Sequence, residues 1–280
     1  MVLERLINPQ ILEGKPFELF MLGLFWTVFA TAISWYLFPN FASLLTVTFI
    51  VMLTMPFVYR VLGDEEKHYD EDWTEKTLLK AHAHTFACFM WLFVGILMGY
   101  VLWYVFAPPA VVETLFQAQA STISEINTPT GAFLANATFV KIFWHNTRIL
   151  LVGIFLAFFL GAGPIFILTW NASVIATAIG NLLRNEISVL ALSEGQLHWS
   201  EAASAVIFPF YRYLIHGIPE ILAYIVGGLA GGIISVAVIR HHFDKKHLWR
   251  ACADACTLLA LSVFLLFVAA IIEVKVLASL

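Results

Sequence analysis

Seven apolar runs divide this chain, each near the roughly twenty residues that a helix needs to cross the hydrocarbon core of a bilayer. They are Phe17–Leu37, Phe41–Leu62, Phe86–Phe106, Phe139–Leu160, Ile165–Leu183, Ile218–Ile239 and Ala251–Val274. Hydrophobic residues make up 61% of the 280 and charged residues 12%. A soluble domain carries closer to a quarter of its residues charged, which excludes that class. The expected fold is all-α, a polytopic transmembrane bundle of about seven spans plus a short re-entrant or interfacial helix. Six crossings is the alternative, if the hairpin of the fourth and fifth runs is re-entrant.

The punctuation between runs divides the chain into three parts. Residues 1–106 form a three-span membrane extension, 107–138 an extracytoplasmic loop, and 139–280 a core of four spans. Phe38-Pro39-Asn40 is a tight turn, and Gly161-Ala162-Gly163-Pro164 joins a helical hairpin. Proline opening the second helix is tolerated, since its missing N–H has no partner there anyway. In the loop, Val111–Ile126 reads as a short amphipathic helix and Asn127–Gly131 as a turn cluster. The first sixteen residues are mixed and polar, and no small-residue cleavage site follows the first run, so that run is expected to stay as an anchor.

Orientation follows from the lysines and arginines, which favour the cytoplasmic side. Arg5 and Lys15 precede the first span; Arg60, Lys67, Lys76 and Lys80 lie between the second and third; Arg240, Lys245, Lys246 and Arg250 precede the last. With seven crossings these all fall on one side, and the Ala110–Ala137 loop, with no lysine or arginine, falls on the other. The reading is a multi-pass cell-membrane protein with a cytoplasmic N-terminus. The acids between Gly63 and Lys80 count for little in this rule.

Ionisable residues inside such runs are costly and usually have a partner or a task. The string His216-Gly217-Ile218-Pro219-Glu220 interrupts the apolar stretch from Ala202 to Ile239. That stretch is too long for one span, and a break at Gly217–Pro219 leaves a half-helix at about 202–216. On this reading Pro219 opens the next helix and Glu220 sits in its first turn, where the helix dipole favours an acid. His216 is then a loop residue beside a carbonyl or the same carboxylate. In the fourth run, His145 and Arg148 share a face while Asn146 points elsewhere. Arg148 either snorkels to headgroups or turns inward to pair with an acid, and Glu220 lies on the same side of the bilayer. Asn171 and Asn181 are mid-span amides that suit hydrogen bonds across a helix interface. The candidate polar site is therefore His145, Arg148, Asn171, His216 and Glu220.

Gly227, Gly228, Gly231 and Gly232 form two overlapping Gly-x-x-x-Gly pairs, and Gly95 with Gly99 a third. Such pairs let a second helix approach closely, whether that helix belongs to the same chain or to a dimer partner. Cys88, Cys252 and Cys256 lie in or beside apolar helices and read as packing residues. His82 and His84 are two apart and fall on different sides of a helix. His241, His242 and His247 share a basic loop suited to headgroup contact. No His-Glu-x-x-His, Gly-x-Ser-x-Gly or phosphate-binding loop occurs. No catalytic, cofactor or metal site is expected, and no basic patch suits nucleic acid.

The part from about Val140 to Leu280 resembles the stage II sporulation protein M family of integral membrane proteins. The likeness is carried by Asn146-Thr147-Arg148, the Gly161–Pro164 turn, Asn171 with Gly180, and His216–Glu220 leading into Gly227–Gly232. Residues from Asn8-Pro9 through Lys15-Pro16-Phe17 and the next two spans are similar to the extension of archaeal members. Two positions depart from the family pattern: Ala172, where a glycine is common, and Pro219, where a less bulky residue is. The resemblance implies a non-enzymatic membrane subunit that organises partners. In spore formers the family member serves a cell-wall remodelling complex during engulfment. The expected role is a scaffold or subunit of a membrane assembly, self-associating as a dimer and contacting other membrane or envelope proteins. The alternative is a small transporter or channel whose site is built by Glu220, His216 and Arg148, with the broken helix as binding element.

Overall fold

The computed structural model describes residues 15–67, 75–127, 135–160, 163–192, 199–241 and 245–278, some of them, such as His82 and His216, for their backbone only. The acidic stretch 68–74, the turn at 128–131, the Gly161–Ala162 pair and His242 fall outside these residues. Among the described residues all regular structure is helical: α1 Pro16–Leu37, α2 Ala42–Lys67, α3 Glu75–Phe106, α4 Pro109–Leu115, α5 Gln117–Asn127, α6 Ala135–Leu160, α7 Gly163–Leu192, α8 Trp199–His241 and α9 Lys245–Ala278. Seven of them, all but α4 and α5, are long and apolar enough to cross a membrane. The Phe38–Asn40 turn is a single 3-10 turn over Pro39–Phe41.

Helix α7 is the hub, packing against α2, α3, α5, α6 and α8. Helices α1 and α3 form one flank and α8 with α9 the other. Lipid tails are as apolar as leucine, so helices associate here through close packing and hydrogen bonds. The seams show both. On the α1–α3 seam a Cβ on Gly23 would stand 2.5 Å from the carbonyl oxygen of Leu92, and one on Gly95 would collide with that of Phe20. On the other flank, a Cβ on Gly231 would stand 2.8 Å from Ala157 Cβ, and Gly227 faces Leu150 of α6 and Ser262 of α9. Gly228 and Gly232 are buried too. Gly95, Gly99, Gly227 and Gly231 thus each meet helices of the same chain. Serine hydroxyls stitch these seams, Ser235 donating to the Phe158 carbonyl at 2.7 Å and Ser262 to that of Ala223 at 2.7 Å.

The loop after α3 forms two short helices, α4 and α5, in place of one over Val111–Ile126. The residue between them, Phe116, is 2% exposed and sits edge-on to Tyr100 and Tyr104 of α3. Gln119 of α5 is buried as well. It donates to Ser173 Oγ of α7 at 3.1 Å and, more weakly, to the Ser43 carbonyl of α2 at 3.4 Å. The loop is thereby fastened to three spans.

The expected half-helix at 202–216 is not separate. Helix α8 runs without interruption from Trp199 to His241, through Gly217, Ile218 and Pro219. Proline does forfeit one bond, to the carbonyl four residues back. A full break in apolar surroundings would leave several more backbone groups unpaired, each costly where no water can serve them. Continuing the helix is the cheaper solution. At 43 residues α8 is about 65 Å long, roughly twice the hydrocarbon thickness. Its span by composition is Gly217–Ser235.

Candidate functional site

Because α8 does not start at Pro219, the dipole of a helix N-terminus offers Glu220 nothing. The carboxylate lies in the body of a helix, at the edge of an apolar span. The structure gives it two neighbours that the sequence reading missed. One is Tyr224, a turn later on the same face; the other is Glu273, near the C-terminal end of the α9 span. Consecutive crossings run in opposite directions, so the start of the α8 span and the end of the α9 span lie on the same side of the bilayer. Glu220 and Glu273 are each half-buried and lie within electrostatic range of one another. Both act electrostatically on the Tyr224 hydroxyl. Tyr224 is 1% exposed, and its hydroxyl, though directed at Glu220, makes no hydrogen bond of acceptable geometry.

Of the five residues expected to form a polar site, Arg148 faces outward and Asn171 bonds within its own helix. The buried residues of α6 are Ile142, Asn146, Leu150, Gly153 and Ala157, a single helical stripe. Arg148 is two residues past Asn146, about 200° around the axis, and so faces outward. It is exposed, with its guanidinium carbon 5.2 Å from the centre of the Trp144 ring. Among the described residues no ion pair joins it to Glu220, and the snorkelling reading fits this position. The inward-facing polar residue of this helix is Asn146. His145 beside it is half-buried. Asn171 is buried and donates to the carbonyl of Ile167 at 2.9 Å, one turn back in its own helix, instead of crossing an interface. Asn181 is exposed. For His216 the described backbone is helical, and its side chain lies outside the description.

A second polar fixture is Arg184 of α7. Its guanidinium donates to the backbone carbonyl of Ala107, just past the end of α3, and lies 5.8 Å from the Tyr104 ring centre. Gly180, one turn earlier, lets that ring press against the helix backbone; a Cβ there would sit 2.5 Å from the ring. The arrangement caps the last turn of α3, whose carbonyls have no helical partner, and holds α3 to α7. No group of three or more histidine, cysteine or acidic side chains able to hold a metal occurs among the described residues. The three cysteines are free, Cys88 buried, Cys252 half-buried and Cys256 exposed.

The signal for Glu273 was in the sequence, as a carboxylate near the end of the last apolar run. Tyr224 is four residues from Glu220, the spacing that puts both on one face. What one sequence does not convey is that two acids 53 positions apart come within electrostatic range.

The family model for stage II sporulation protein M matches residues 85–276, from α3 through α9. No curated protein and no solved structure matches the chain.

Proposed function

The chain belongs to the stage II sporulation protein M family, and we propose that this multi-pass membrane protein is a scaffold subunit that holds partner membrane or envelope proteins together. The observation that carries the reading is an apolar stripe on α8. Ile207, Phe208, Tyr211, Ile215 and Ile218 are all exposed and follow one face of the helix, mostly ahead of its span. The part of α8 before Gly217 extends about 27 Å, so the stripe rides on a rod anchored in the bundle. Backbone-tight glycine seams, with α4 and α5 fastened by Phe116 and Gln119, make a stiff platform, as scaffolding requires. The fitting occupant is an apolar helix of a partner membrane protein, and the same stripe can serve a second copy of this chain.

The reading is tested by placing a photocrosslinking amino acid at Ile207 or Tyr211 and irradiating native membranes. Discrete protein adducts, homodimeric or larger, are expected there and not from the same probe at Leu151, on the exposed face of α6. Lipid adducts alone at both α8 positions contradict it. The proposed orientation puts the N-terminus in the cytoplasm. A cysteine at Thr128 then labels from outside and one at Lys245 only after permeabilisation; the reverse pattern inverts the topology.

A second reading, a small transporter or channel, draws support from the Glu220–Glu273 pair, because acids within spans often mark ion paths. Reconstituted liposomes separate the two. Ion flux that disappears in Glu220→Gln favours transport, and absence of flux with intact crosslinking favours the scaffold.

A further inference from the structure

Arginine is expensive inside a bilayer, so a span that carries one on an open face needs an explanation. Helix α6 is that case. Its apolar span is Phe139–Phe158, and Arg148 stands near the middle, nine residues or about 14 Å from the start. The side chain reaches back toward the surface, and its guanidinium lies over the Trp144 ring. That level is still about 8 Å inside the span. Of the seven spans this one is the least covered by the rest of the protein, 22% buried. No acid relieves the charge from within the helix, since Ala135–Leu160 contains no Asp or Glu. Among the described residues no carboxylate of another helix pairs with Arg148 either. A cation over a ring is held by the ring's quadrupole, which consumes none of the guanidinium's five N–H donors. Among the described residues those donors meet no acceptor.

The residues around Arg148 say what the acceptor is. Trp144, His145 and Arg148 follow Lys141 by three, four and seven positions, so the four share one face. Deeper on that face Leu151, Val152 and Phe155 are exposed. The face is thus basic and aromatic toward the surface that carries α4 and α5, and apolar from there inward. One lipid molecule has the same profile, a phosphate above and an acyl chain below. We propose that this face of α6 binds an anionic phospholipid of that leaflet, its phosphate held by Arg148 and a chain laid over Leu151, Val152 and Phe155. Guanidinium matches phosphate geometry with two parallel N–H···O bonds. A carboxylate on a partner helix would bring a second buried charge, whose desolvation offsets much of the attraction. A phospholipid already carries its charge at the surface, and local thinning of the bilayer draws it inward at modest cost. A zwitterionic headgroup would set its own cation beside Lys141, which selects against it. The lipid site is independent of the scaffold reading.

Native mass spectrometry of the purified full chain in neutral detergent tests this, with phosphatidylglycerol and phosphatidylcholine titrated in turn. Wild type should retain one phosphatidylglycerol per chain, with roughly fivefold preference over phosphatidylcholine. Arg148→Gln should weaken phosphatidylglycerol binding about tenfold or more, the worth of a charge-assisted hydrogen bond. Arg148→Lys keeps the charge without the fork and should fall between the two. Both variants replace an exposed side chain, so Tm without lipid should stay within about 2 °C of wild type. Arg250→Gln, exposed at the opposite surface, should leave retention unchanged. Equal retention of the two lipids by wild type overturns the proposal, as does a loss in Arg250→Gln equal to that in Arg148→Gln. Displacement of the lipid by millimolar glycerol phosphate would mark a site for free anions and overturn it as well. A photocrosslinking amino acid at Val152 in native membranes should give lipid adducts; discrete protein adducts there would assign the face to a partner helix instead.

Discussion

Substituting Gly23 by alanine tests how tightly α1 and α3 are bound. The added Cβ would stand 2.5 Å from the Leu92 carbonyl oxygen and 3.0 Å from the Ile96 nitrogen. Both are backbone atoms, so no side-chain rotation relieves the contact. An ordinary carbon–oxygen approach is about 3.3 Å even for weakly attractive contacts, so the helices must part by close to 1 Å. A gap of 0.5–1 Å forfeits a quarter to a half of each dispersion contact across it. The seam loses part of its packing over Leu19, Trp26, Leu92 and Ile96, all buried. Overpacking of this kind usually costs 1–3 kcal/mol, and the lack of any flexible neighbour places Gly23→Ala at the upper end, about 2–3 kcal/mol. Reversible unfolding in mixed micelles, followed by a steric-trap or denaturing-detergent titration, reads the value. A loss below about 0.5 kcal/mol would refute the backbone-contact reasoning, since scattered surface substitutions fall in that range.

Other consequences concern α8 and the fastened loop. Gly217→Ala should be neutral or stabilising by up to about 1 kcal/mol, because glycine is a poor helix residue. Among the described residues its Cβ would meet Ile175 Cδ1 alone, at an ordinary 3.8 Å. If the chain breaks at Gly217, the same variant should unfold earlier in the same titration. Phe116→Ala empties the space between Tyr100 and Tyr104 and should cost about 3–5 kcal/mol. It should also make α4 and α5 cleavable by added protease, which intact Phe116 prevents; unchanged cleavage rates would count against the loop being pinned there.

Much of the fold was legible because a bilayer imposes a length requirement on apolar runs, and each run in this chain is bounded by turn residues or charges. Gly95, Gly99, Gly227 and Gly231 were read as close-packing positions, and each meets a neighbouring helix. What they could not reveal was the neighbour, since only the assembled bundle shows whether it belongs to the same chain. Gly217–Pro219 misled because glycine and proline end helices readily in water, where freed backbone groups are solvated. In apolar surroundings the same residues are absorbed into α8. Arg148 and Asn146 differ by half a turn, and the rotation of α6 is set by its contacts with α8 and α9, which local sequence does not encode. The candidate site shifted for the same reason: Glu220 kept its place, Arg148 was replaced by Glu273, and Tyr224 joined from one turn away.

The most direct test of this arrangement is a proximity measurement in a background lacking the three native cysteines. A Glu220→Cys/Glu273→Cys pair and a Glu220→Cys/Arg148→Cys pair are treated in membranes with a short bifunctional thiol reagent, followed by cleavage between α8 and α9 or between α6 and α8. Glu220 beside Glu273, with Arg148 turned outward over Trp144, predicts efficient linkage of the first pair and little of the second. Efficient linkage of the second pair, with none of the first, would contradict it.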